Sequence, residues 1–504
     1  MVKLIFFVLF GIFSVTSARK NVLFFAVDDL RPELNCFEGS DFPSPVHPPM
    51  HTPNIDFLAS KSLLLKRAYV QQAVCSPSRT SLLTGRRPDT THIYDLVHYF
   101  RKLGGNFTTI PEYFKLNGYV SAGMGKIFHP GSASGGDDPI SWTLPYFHAT
   151  KYGWENKNKS WDAIPDEKLI DKPLVDFQIA QQADKTLKMF SEGGEHEGTP
   201  FFIAVGFHRP HLPFVFPESF LKYYPDESIR LPPNPYAPVN MPEVAWSSYG
   251  ELRAYGDQSK LNASGMINTT LPMEDVRALR RAYYSAVSWT DSLVGYVLQQ
   301  LQKYGFENNT IISFWGDHGW QLGEHGEWCK HTNFELATHA PMMIRVPGKT
   351  DNGIVTEKLT EFVDLFPTLV DAAELGPMPL CPVNSSQIAF CREGESLMPL
   401  IQNLSTQWKD AVFSQYPRHQ NGVDIMGYSI CTARFRYTEW AKFTYAPEYQ
   451  PDWGKIYGLE LYDHQFDPQE NMNKALEPEF AAIRQVLSKR LHEGWRAALP
   501  GNGL

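Results

Sequence analysis

The chain has 504 residues, of which 43% are hydrophobic and 20% are charged. This composition is typical of globular proteins and excludes a disordered chain, and the length suggests about two to four domains, or one large α/β domain with a smaller appendage. Lys and Arg number 46 and Asp and Glu 55, a net charge of −9, which argues against a general basic surface for nucleic acid. An anionic substrate would therefore have to meet a local basic pocket.

The first predicted element is a targeting segment. Residues 1–18 contain a lysine near the start, an apolar run from Leu4 to Phe13, and the small residues Thr16 and Ala18 at the place where a peptidase would cut. The run is shorter than the roughly 20 apolar residues that a membrane anchor needs. We therefore predict a signal peptide cleaved after Ala18, and a lysosomal or secreted protein that keeps no membrane span.

Four segments share one design, in which an apolar run rich in β-branched and aromatic residues ends abruptly in polar residues. In chain order they are NVLFFAV before Asp28 and Asp29, GYVSAGM before GKIFHP, PFFIAVGF before HRPH, and NTIISFWG before DHGW. Such runs suit strands that are covered on both faces, as in parallel sheets flanked by helices. Because ligands bind outside the carboxyl ends of the strands in open α/β sheets, we expect the four polar clusters to converge.

Helical and irregular segments lie between and after these strands. Apolar residues recur at three- and four-residue spacing from Val276 to Leu301, which predicts a helix, and VDLFPTLVDAAEL predicts another. The proline-rich stretch from residue 210 to 242 carries interleaved aromatic residues, so we interpret it as an irregular excursion packed on the domain. We place a catalytic domain at residues 19–402 and a smaller α+β domain, with the strand-like segment YSICTARFRYTEWAKFTY, at residues 403–504.

The cysteines and the glycosylation motifs agree with export. Cys381 and Cys391 bracket a short loop with proline and serines that an oxidising compartment would readily close as a disulfide, so we predict this pair. If Cys75 has a catalytic role, Cys36, Cys329 and Cys431 remain, and at least one of these three stays a thiol or forms a pair that cannot be predicted. N-x-S/T motifs, expected to carry glycans, occur at Asn106, Asn158, Asn262, Asn268, Asn308, Asn384 and Asn403.

The stretch CSPSR, followed by LLTGR, resembles the signature of the type I sulfatases. Other matching elements are VDD after the first strand, GK with a following histidine, and DHG after a late strand, and the similarity runs from Asn21 to about the C-terminus. The resemblance implies an alkaline-phosphatase-like fold, with a large mixed, mostly parallel sheet flanked by helices and a smaller C-terminal α+β domain. It also implies that formylglycine-generating enzyme oxidises Cys75 to formylglycine during export.

The strand-end acids Asp28, Asp29 and Asp317 are hard oxygen ligands that suit Ca²⁺. Standing alone, adjacent aspartates are more often a helix cap or a turn, but three converging acids would repel one another unless a cation lay among them. The resemblance adds Cys75 and His318 to the ligand set. His318 stands where many sulfatases have asparagine, and imidazole suits a softer metal better; the prediction remains one Ca²⁺ per chain.

Hydrolysis of a sulfate ester requires positive charge at the ester oxygens and an acid for the leaving alkoxide. The resemblance implies that Arg79 holds the modified side chain and that Lys126 and Lys330 neutralise sulfate oxygens. It further implies that His208 protonates the leaving sugar oxygen and that His129 acts as a base when the sulfated intermediate collapses. Taken singly, such lysines are usually solvated charges and HRPH could be a turn, so it is their occurrence together that favours catalysis.

The sulfatases that this chain most resembles remove the 2-sulfate from terminal iduronate in heparan and dermatan sulfate, which implies sulfated glycosaminoglycan oligosaccharides as partners. Arg31 and Trp320 directly follow the metal-binding clusters, so we predict that they bind the sugar's carboxylate and face. Three alternatives stay open: another sulfatase specificity, such as an arylsulfatase or a glucosamine sulfatase, a phosphatase or phosphodiesterase of the same superfamily, and a noncatalytic glycan-binding relative. CSPSR argues against the phosphatase, since the sites of that class use Ser or Thr and two zinc ions.

Overall fold

The structure, a computed structural model, describes residues 19–38 and 46–501, so the predicted signal peptide lies outside the described residues. Within these ranges, no helix is long and apolar enough to cross a membrane. The strands are β1 (Asn21–Val27), β2 (Leu63–Leu65), β3 (Ala68–Tyr69), β4 (Val120–Gly125), β5 (Trp161–Ile164), β6 (Phe201–Phe207), β7 (Phe214–Pro217), β8 (Thr310–Gly316), β9 (Gln321–Leu322), β10 (Trp328–Cys329), β11 (Met342–Arg345), β12 (Ile354–Thr356), β13 (Thr360–Glu361), β14 (Ala411–Gln420), β15 (Val423–Thr432), β16 (Phe435–Thr444) and β17 (Gln450–Asp463). The α-helices are α1 (Pro53–Ala59), α2 (Cys75–Thr84), α3 (Pro88–Thr91), α4 (Phe100–Leu103), α5 (Ile110–Leu116), α6 (Val175–Phe190), α7 (Gly256–Ser259), α8 (Met273–Lys303), α9 (Glu335–Thr338), α10 (Leu365–Ala372), α11 (Met398–Gln402) and α12 (Ala481–Glu493).

A seven-stranded sheet with the order β12-β2-β11-β8-β1-β6-β4 forms the centre of the molecule. Strands β4, β6, β1 and β8 run parallel to one another, whereas β11 is antiparallel to both of its neighbours. The four parallel strands are the four apolar runs of the sequence, so their carboxyl ends lie at one edge of the sheet. The predicted mixed, mostly parallel sheet is confirmed.

Two hydrophobic cores lie on opposite faces of this sheet, because successive side chains of a strand point to opposite faces. Phe25 of β1 packs in the core that includes residues of α6 and α8, and Phe24 packs in the core that includes residues of α2, α5 and α10. Both phenylalanines are fully buried, and each such burial stabilises the fold by about 1.5–3 kcal/mol. Helix α8 contains the predicted helix, and α10 confirms the second.

The C-terminal part forms a separate antiparallel sheet. Strands β14 to β17 pair in sequence order, and α12 packs against them through Leu487 and Leu491. The sheet begins at Ala411, shortly after the expected boundary between residues 402 and 403, which itself stays a prediction. Strand β14 lies against the catalytic part, since the Gln415 backbone N–H donates a hydrogen bond of 2.8 Å to the Gln71 carbonyl.

Three further predictions concern the proline-rich stretch, the disulfide and the glycosylation motifs. The stretch from residue 210 to 242 is mostly irregular, although β7 within it pairs with β5. The disulfide between Cys381 and Cys391 is formed, with 4.9 Å between the Cα atoms, which confirms the predicted pair. All the asparagines of the glycosylation motifs are exposed, as glycans require, and their modification stays a prediction.

Candidate active site

The polar clusters that follow the parallel strands meet at the start of helix α2. The Sγ atom of Cys75 lies 3.6 Å from Asp28 Oδ1, 3.5 Å from His318 Nε2 and 3.4 Å from Lys126 Nζ. Asp28 follows β1, Lys126 follows β4 and His318 follows β8, so three strand ends and one helix start supply this site. All four side chains are buried, and the predicted convergence of these strand ends is present in the structure.

Helix α2 places Cys75 in its first turn and Arg79 one turn later on the same face. The helix starts here because Val74 is extended and Pro77 lies in the first turn, where a backbone N–H has no helical partner to lose. Arg79 donates hydrogen bonds to Asp317 Oδ2 at 2.8 Å and to Asp28 Oδ1 at 3.0 Å. The guanidinium therefore joins the ends of β1 and β8 beneath the side chain at position 75.

The acidic side chains in this cluster suit a divalent cation. Burial, together with the charges of Asp28 and Asp317, raises the pKa of Asp29 well above its usual range, although the Lys330 ammonium opposes this shift. A bound cation would relieve the same repulsion. His318 Nε2 lies 3.3 Å from Asp29 Oδ1, so the predicted ligands Asp28, Asp29, Asp317 and His318 lie together around position 75.

His318 is prepared to act as a neutral ligand. Its Nδ1 atom lies 2.9 Å from the Gly319 carbonyl, which can only accept a hydrogen bond, so Nδ1 carries the proton and Nε2 is left with a free lone pair. Burial lowers the pKa of His318 to about 4, so the ring stays neutral at higher pH. Nε2 is also the atom that faces Cys75, which gives the histidine the correct orientation for a metal ligand.

Two lysines supply positive charge beside the acids. The Lys126 ammonium donates a hydrogen bond to Asp28, and the Lys330 ammonium lies 3.1 Å from each carboxylate oxygen of Asp29. Both lysines are buried. The charges of Asp28 on Lys126 and of Asp29 on Lys330 outweigh the cost of burial and raise the pKa of each lysine, so both stay cationic.

The two histidines of the HRPH segment have different contacts. His208, predicted to be the proton donor, is held by Asp176 at the start of α6, with 3.0 Å between Nδ1 and Oδ1. His211 is the histidine that faces the cluster, since its Nε2 lies 3.8 Å from Asp29 Oδ2 and 3.6 Å from Glu251 Oε1. His211 Nδ1 faces the Leu212 carbonyl and therefore carries the proton of the neutral ring, while burial lowers the pKa of His211 well below its usual range. The neutral ring has no proton on Nε2 to give, so the role of His208 as the proton donor stays a prediction.

His129 carries a neutral ring. Burial, reinforced by the positive charge of Lys126, lowers its pKa to about 3. A neutral imidazole has a free lone pair, but a pKa this low makes it a weak base, so the role of His129 as the base stays a prediction. Its main chain is fixed by the Ser134 hydroxyl, which donates a 2.6 Å hydrogen bond to the His129 carbonyl.

Neither predicted substrate-binding residue reaches open space. The Arg31 guanidinium is fully buried and bonded to Glu33 and Glu324, so it cannot receive a substrate carboxylate. The Trp320 ring is 1% exposed, lies between Tyr283 and Phe214, and has Lys330 Nζ 4.8 Å from its centre. The position of Arg31 and Trp320 directly after the acidic clusters therefore did not indicate substrate binding, since both side chains point into the core.

Sequence reasoning missed Glu251 and His331. Glu251 Oε1 accepts a 2.7 Å hydrogen bond from Lys330, and its Oε2 lies 2.7 Å from His331 Nε2. Both side chains are about one-fifth exposed and line a cleft of about 520 Å³ between residues 243–251 and residues 416–420. No motif marks Glu251, which lies in an irregular segment far along the chain from Cys75.

Comparison with known proteins assigns the chain to a family. Residues 20–375 match the sulfatase family, and residues 323–496 match the C-terminal part of N-sulphoglucosamine sulphohydrolase. The chain belongs to the sulfatase family. This sulfatase is 39% identical to iduronate 2-sulfatase of Mus musculus over 91% of both chains, and 38% identical to iduronate 2-sulfatase of Homo sapiens over 94% of both.

Solved structures share the fold of this sulfatase. One described as a 2-O GAG sulfatase has a TM-score of 0.64 at 20% identity and covers 95% of this chain and 94% of its own. A phosphonate monoester hydrolase from Silicibacter pomeroyi has a TM-score of 0.69 at 21% identity, with 96% of each chain covered. Identities this low show the fold alone, which serves both sulfate and phosphonate esters.

Proposed function

We propose that this sulfatase hydrolyses the 2-sulfate of terminal iduronate residues in heparan and dermatan sulfate, with a formylglycine made from Cys75 as the nucleophile. The observation that carries the proposal is the identity of 38–39% with iduronate 2-sulfatases over more than nine-tenths of each chain. The position of Cys75 supports it, because its Sγ atom lies beside the Lys126 ammonium, which can neutralise the charge of a sulfate group, and beside Asp28 and His318, which are suited to hold a cation.

Asp28, Asp29, Asp317 and His318, with the side chain at position 75, would hold one Ca²⁺. The carboxylate majority of this set suits Ca²⁺, and His318 is its one unusual member. When bound, the ion supplies positive charge that polarises the sulfate ester and stabilises the nucleophilic oxygen.

The Cys75 Sγ atom marks the place of the formylglycine oxygens. One hydroxyl of the hydrated aldehyde gives its proton to Asp28 Oδ1, the carboxylate oxygen that faces position 75, and attacks sulfur. His208 donates a proton to the sugar oxygen as the bond between sulfur and that oxygen breaks. A base, proposed to be His129, takes the proton of the second hydroxyl; the aldehyde re-forms, sulfate leaves by cleavage of the carbon–oxygen bond, and water restores the hydrate. Lys126 and Lys330 neutralise sulfate oxygens throughout, and Arg79 keeps Asp28 and Asp317 in place.

The cleft beside Glu251 and His331 is where the sugar would lie. It opens next to His211, whose ring is about one-quarter exposed, whereas Cys75 and both lysines are almost fully covered. A terminal residue of a glycan can enter such a site with its ester foremost, which favours removal of sulfate from chain ends.

The chain is further proposed to be a lysosomal or secreted glycoprotein that formylglycine-generating enzyme modifies during export. The exposed asparagines of its glycosylation motifs and the disulfide between Cys381 and Cys391 support passage through an oxidising, glycosylating compartment.

Turnover on a panel of sulfated disaccharides tests the substrate. We expect the disaccharide with a terminal 2-sulfated iduronate to give the highest kcat/KM, above one with 6-sulfated glucosamine and above an aryl sulfate. A preference for the aryl sulfate or the glucosamine sulfate would replace the proposed specificity with one of the alternatives.

Cys75→Ser tests the nucleophile. Serine is nearly isosteric, and Cys75 has no disulfide partner, so the variant should fold. Its single hydroxyl can attack sulfur once but has no neighbouring hydroxyl to expel sulfate, so we expect at most one product per enzyme and a sulfated peptide by mass spectrometry. Repeated turnover by this variant, or an unmodified thiol in fully active wild-type protein, would contradict the formylglycine mechanism.

A further inference from the structure

A chain of hydrogen bonds runs from the catalytic cluster to the C-terminal sheet. Lys330 Nζ donates to Glu251 Oε1, Glu251 Oε2 pairs with His331 Nε2, and His331 Nδ1 pairs with the Tyr416 hydroxyl, each over 2.7 Å. Tyr416 belongs to β14, the first strand of the C-terminal sheet. Four side chains from three separate segments thus form one continuous path.

The backbone around Lys330 is held in an unusual conformation. Cys329 has a φ of 71° and His331 a φ of 80°, so both neighbours of Lys330 lie in the left-handed region, which side chains with a Cβ rarely adopt. Such residues cost on the order of 1–3 kcal/mol each and persist only where the surroundings fix them. The segment from residue 329 to 331 therefore needs an external restraint.

Strand β14 supplies this restraint twice. Besides the Tyr416 hydroxyl on the His331 ring, the Arg418 guanidinium donates a hydrogen bond of 2.7 Å to the His331 carbonyl. Arg418 also bonds to the carbonyls of Val244 and Ala245, so it joins the same strand to the loop that leads to Glu251.

Glu251 helps to fix the position of the Lys330 ammonium. The two oxygens of Asp29 draw the Lys330 ammonium toward the metal-binding acids, and Glu251 holds it from the side of the cleft. The ammonium therefore lies between the acids and the space where a sulfate group would enter. Without Glu251, Asp29 would be the one carboxylate left on the ammonium among the described residues.

We propose that the C-terminal sheet positions Lys330 for catalysis through the chain Tyr416, His331 and Glu251. The inference rests on the proposed function, because Lys330 is taken to contact the sulfate group. Glu251, His331 and Tyr416 are positioning residues that act through Lys330, and the C-terminal sheet becomes part of the catalytic apparatus rather than a passive neighbour.

Tyr416→Phe and Glu251→Gln, singly and together, test the chain. Tyr416→Phe removes one hydroxyl about three side chains away from the sulfate, and we expect it to lower kcat/KM about tenfold. Glu251→Gln removes the charge that holds Lys330, and we expect it to lower kcat/KM about 100-fold. Because both act through one path, the double variant should be no worse than Glu251→Gln. The affinity for inorganic sulfate, measured by calorimetry, should fall in the same order, since sulfate binds at the same ammonium.

Matched controls separate positioning from general damage. Tyr428→Phe removes a half-buried hydroxyl of the same sheet that bonds to Asp89, and Glu448→Gln removes an exposed charge; both should retain wild-type kcat/KM and sulfate affinity. The melting temperatures of all variants are compared with the wild type.

Three results would overturn the inference: wild-type sulfate affinity and kcat/KM in Tyr416→Phe, losses that multiply in the double variant, or losses in Tyr428→Phe as large as those in Tyr416→Phe. If Glu251→Gln does not fold, Tyr416→Phe and its control decide alone. Wild-type protein that cleaves no sulfate ester would overturn only the proposed function, because sulfate affinity still reports how Lys330 is positioned.

Discussion

At the scale of single residues, the two histidines of HRPH are only three positions apart but have different surroundings. His208 is bonded to Asp176, whereas His211 faces Asp29 and Glu251. The Nδ1 atom of His211 also faces the Leu212 carbonyl, so a neutral His211 ring carries no proton on Nε2, and His208 remains the proposed proton donor.

We predict that His208→Gln lowers kcat for the iduronate 2-sulfate disaccharide by about 10²–10⁴-fold, because the sugar alkoxide must leave without a proton. With nitrophenyl sulfate the loss should be much smaller, since nitrophenolate leaves without protonation. His211→Gln should show no such difference between the two substrates. Steady-state kinetics of both variants on both substrates check this, and a difference between substrates for His211→Gln but not for His208→Gln would contradict the assignment.

The sequence was sufficient to predict the residues whose place follows from strand ends or from a specific motif. Asp28, Lys126 and Asp317 follow parallel strands, and Cys75 lies in CSPSR, so topology alone brings them together. The direction of a side chain could not be predicted from the sequence: Arg31 and Trp320 have chemistry that suits substrate binding, but both point into the core. Glu251 could not be predicted because its role depends on long-range packing of an irregular segment.

At the scale of secondary structure, Arg79 joins one helix to two strands. It bonds to Asp28 at the end of β1 and to Asp317 at the end of β8, and all three side chains are buried. The helix that carries Cys75 is thereby fixed to the carboxyl edge of the sheet, which the parallel topology predicts. Arg79 can reach these two carboxylates because it lies four residues after Cys75, on the same face of the helix.

We predict that Arg79→Met destabilises the protein by about 3–5 kcal/mol, because its removal leaves the buried Asp317 carboxylate without its arginine partner and Asp28 with Lys126 alone. Lys455→Met is the control, since Lys455 forms an exposed pair with Asp452 and its loss should leave the melting temperature nearly unchanged. Thermal denaturation in a chelating buffer measures both, and a similar melting temperature for the two variants would contradict the role of Arg79.

At the scale of the whole molecule, buried acids make stability depend on pH. Burial raises the pKa of Glu327, in the catalytic part, to about 8 and that of Glu460, in the C-terminal sheet, to about 7. Both values exceed those of an unfolded chain, so each group binds its proton more tightly when folded. The stability from this source is complete at acidic pH and is lost as the pH rises through about 7 to 8.

We predict that the melting temperature falls between pH 5 and pH 8, and that Glu327→Gln reduces this fall. Each such group changes the free energy of unfolding by up to about 1.4 kcal/mol per pH unit between its unfolded and folded pKa values. Glu448→Gln, which removes an exposed charge, should keep the wild-type dependence. Identical pH profiles for Glu327→Gln and wild type would show that Glu327 does not contribute.

The burial of Cys75 has a consequence for how the active protein arises. The residue is 2% exposed, and the segments that cover it lie far apart in the chain, from Asp28 to His318. Under the proposed function, an oxidising enzyme would reach the cysteine only before these segments close over it, so conversion and folding would compete in time. The fraction of active protein would then depend on the rate of cysteine oxidation relative to the rate of folding. Substitutions that speed folding without touching the site would produce more protein that is correctly folded and permanently inactive.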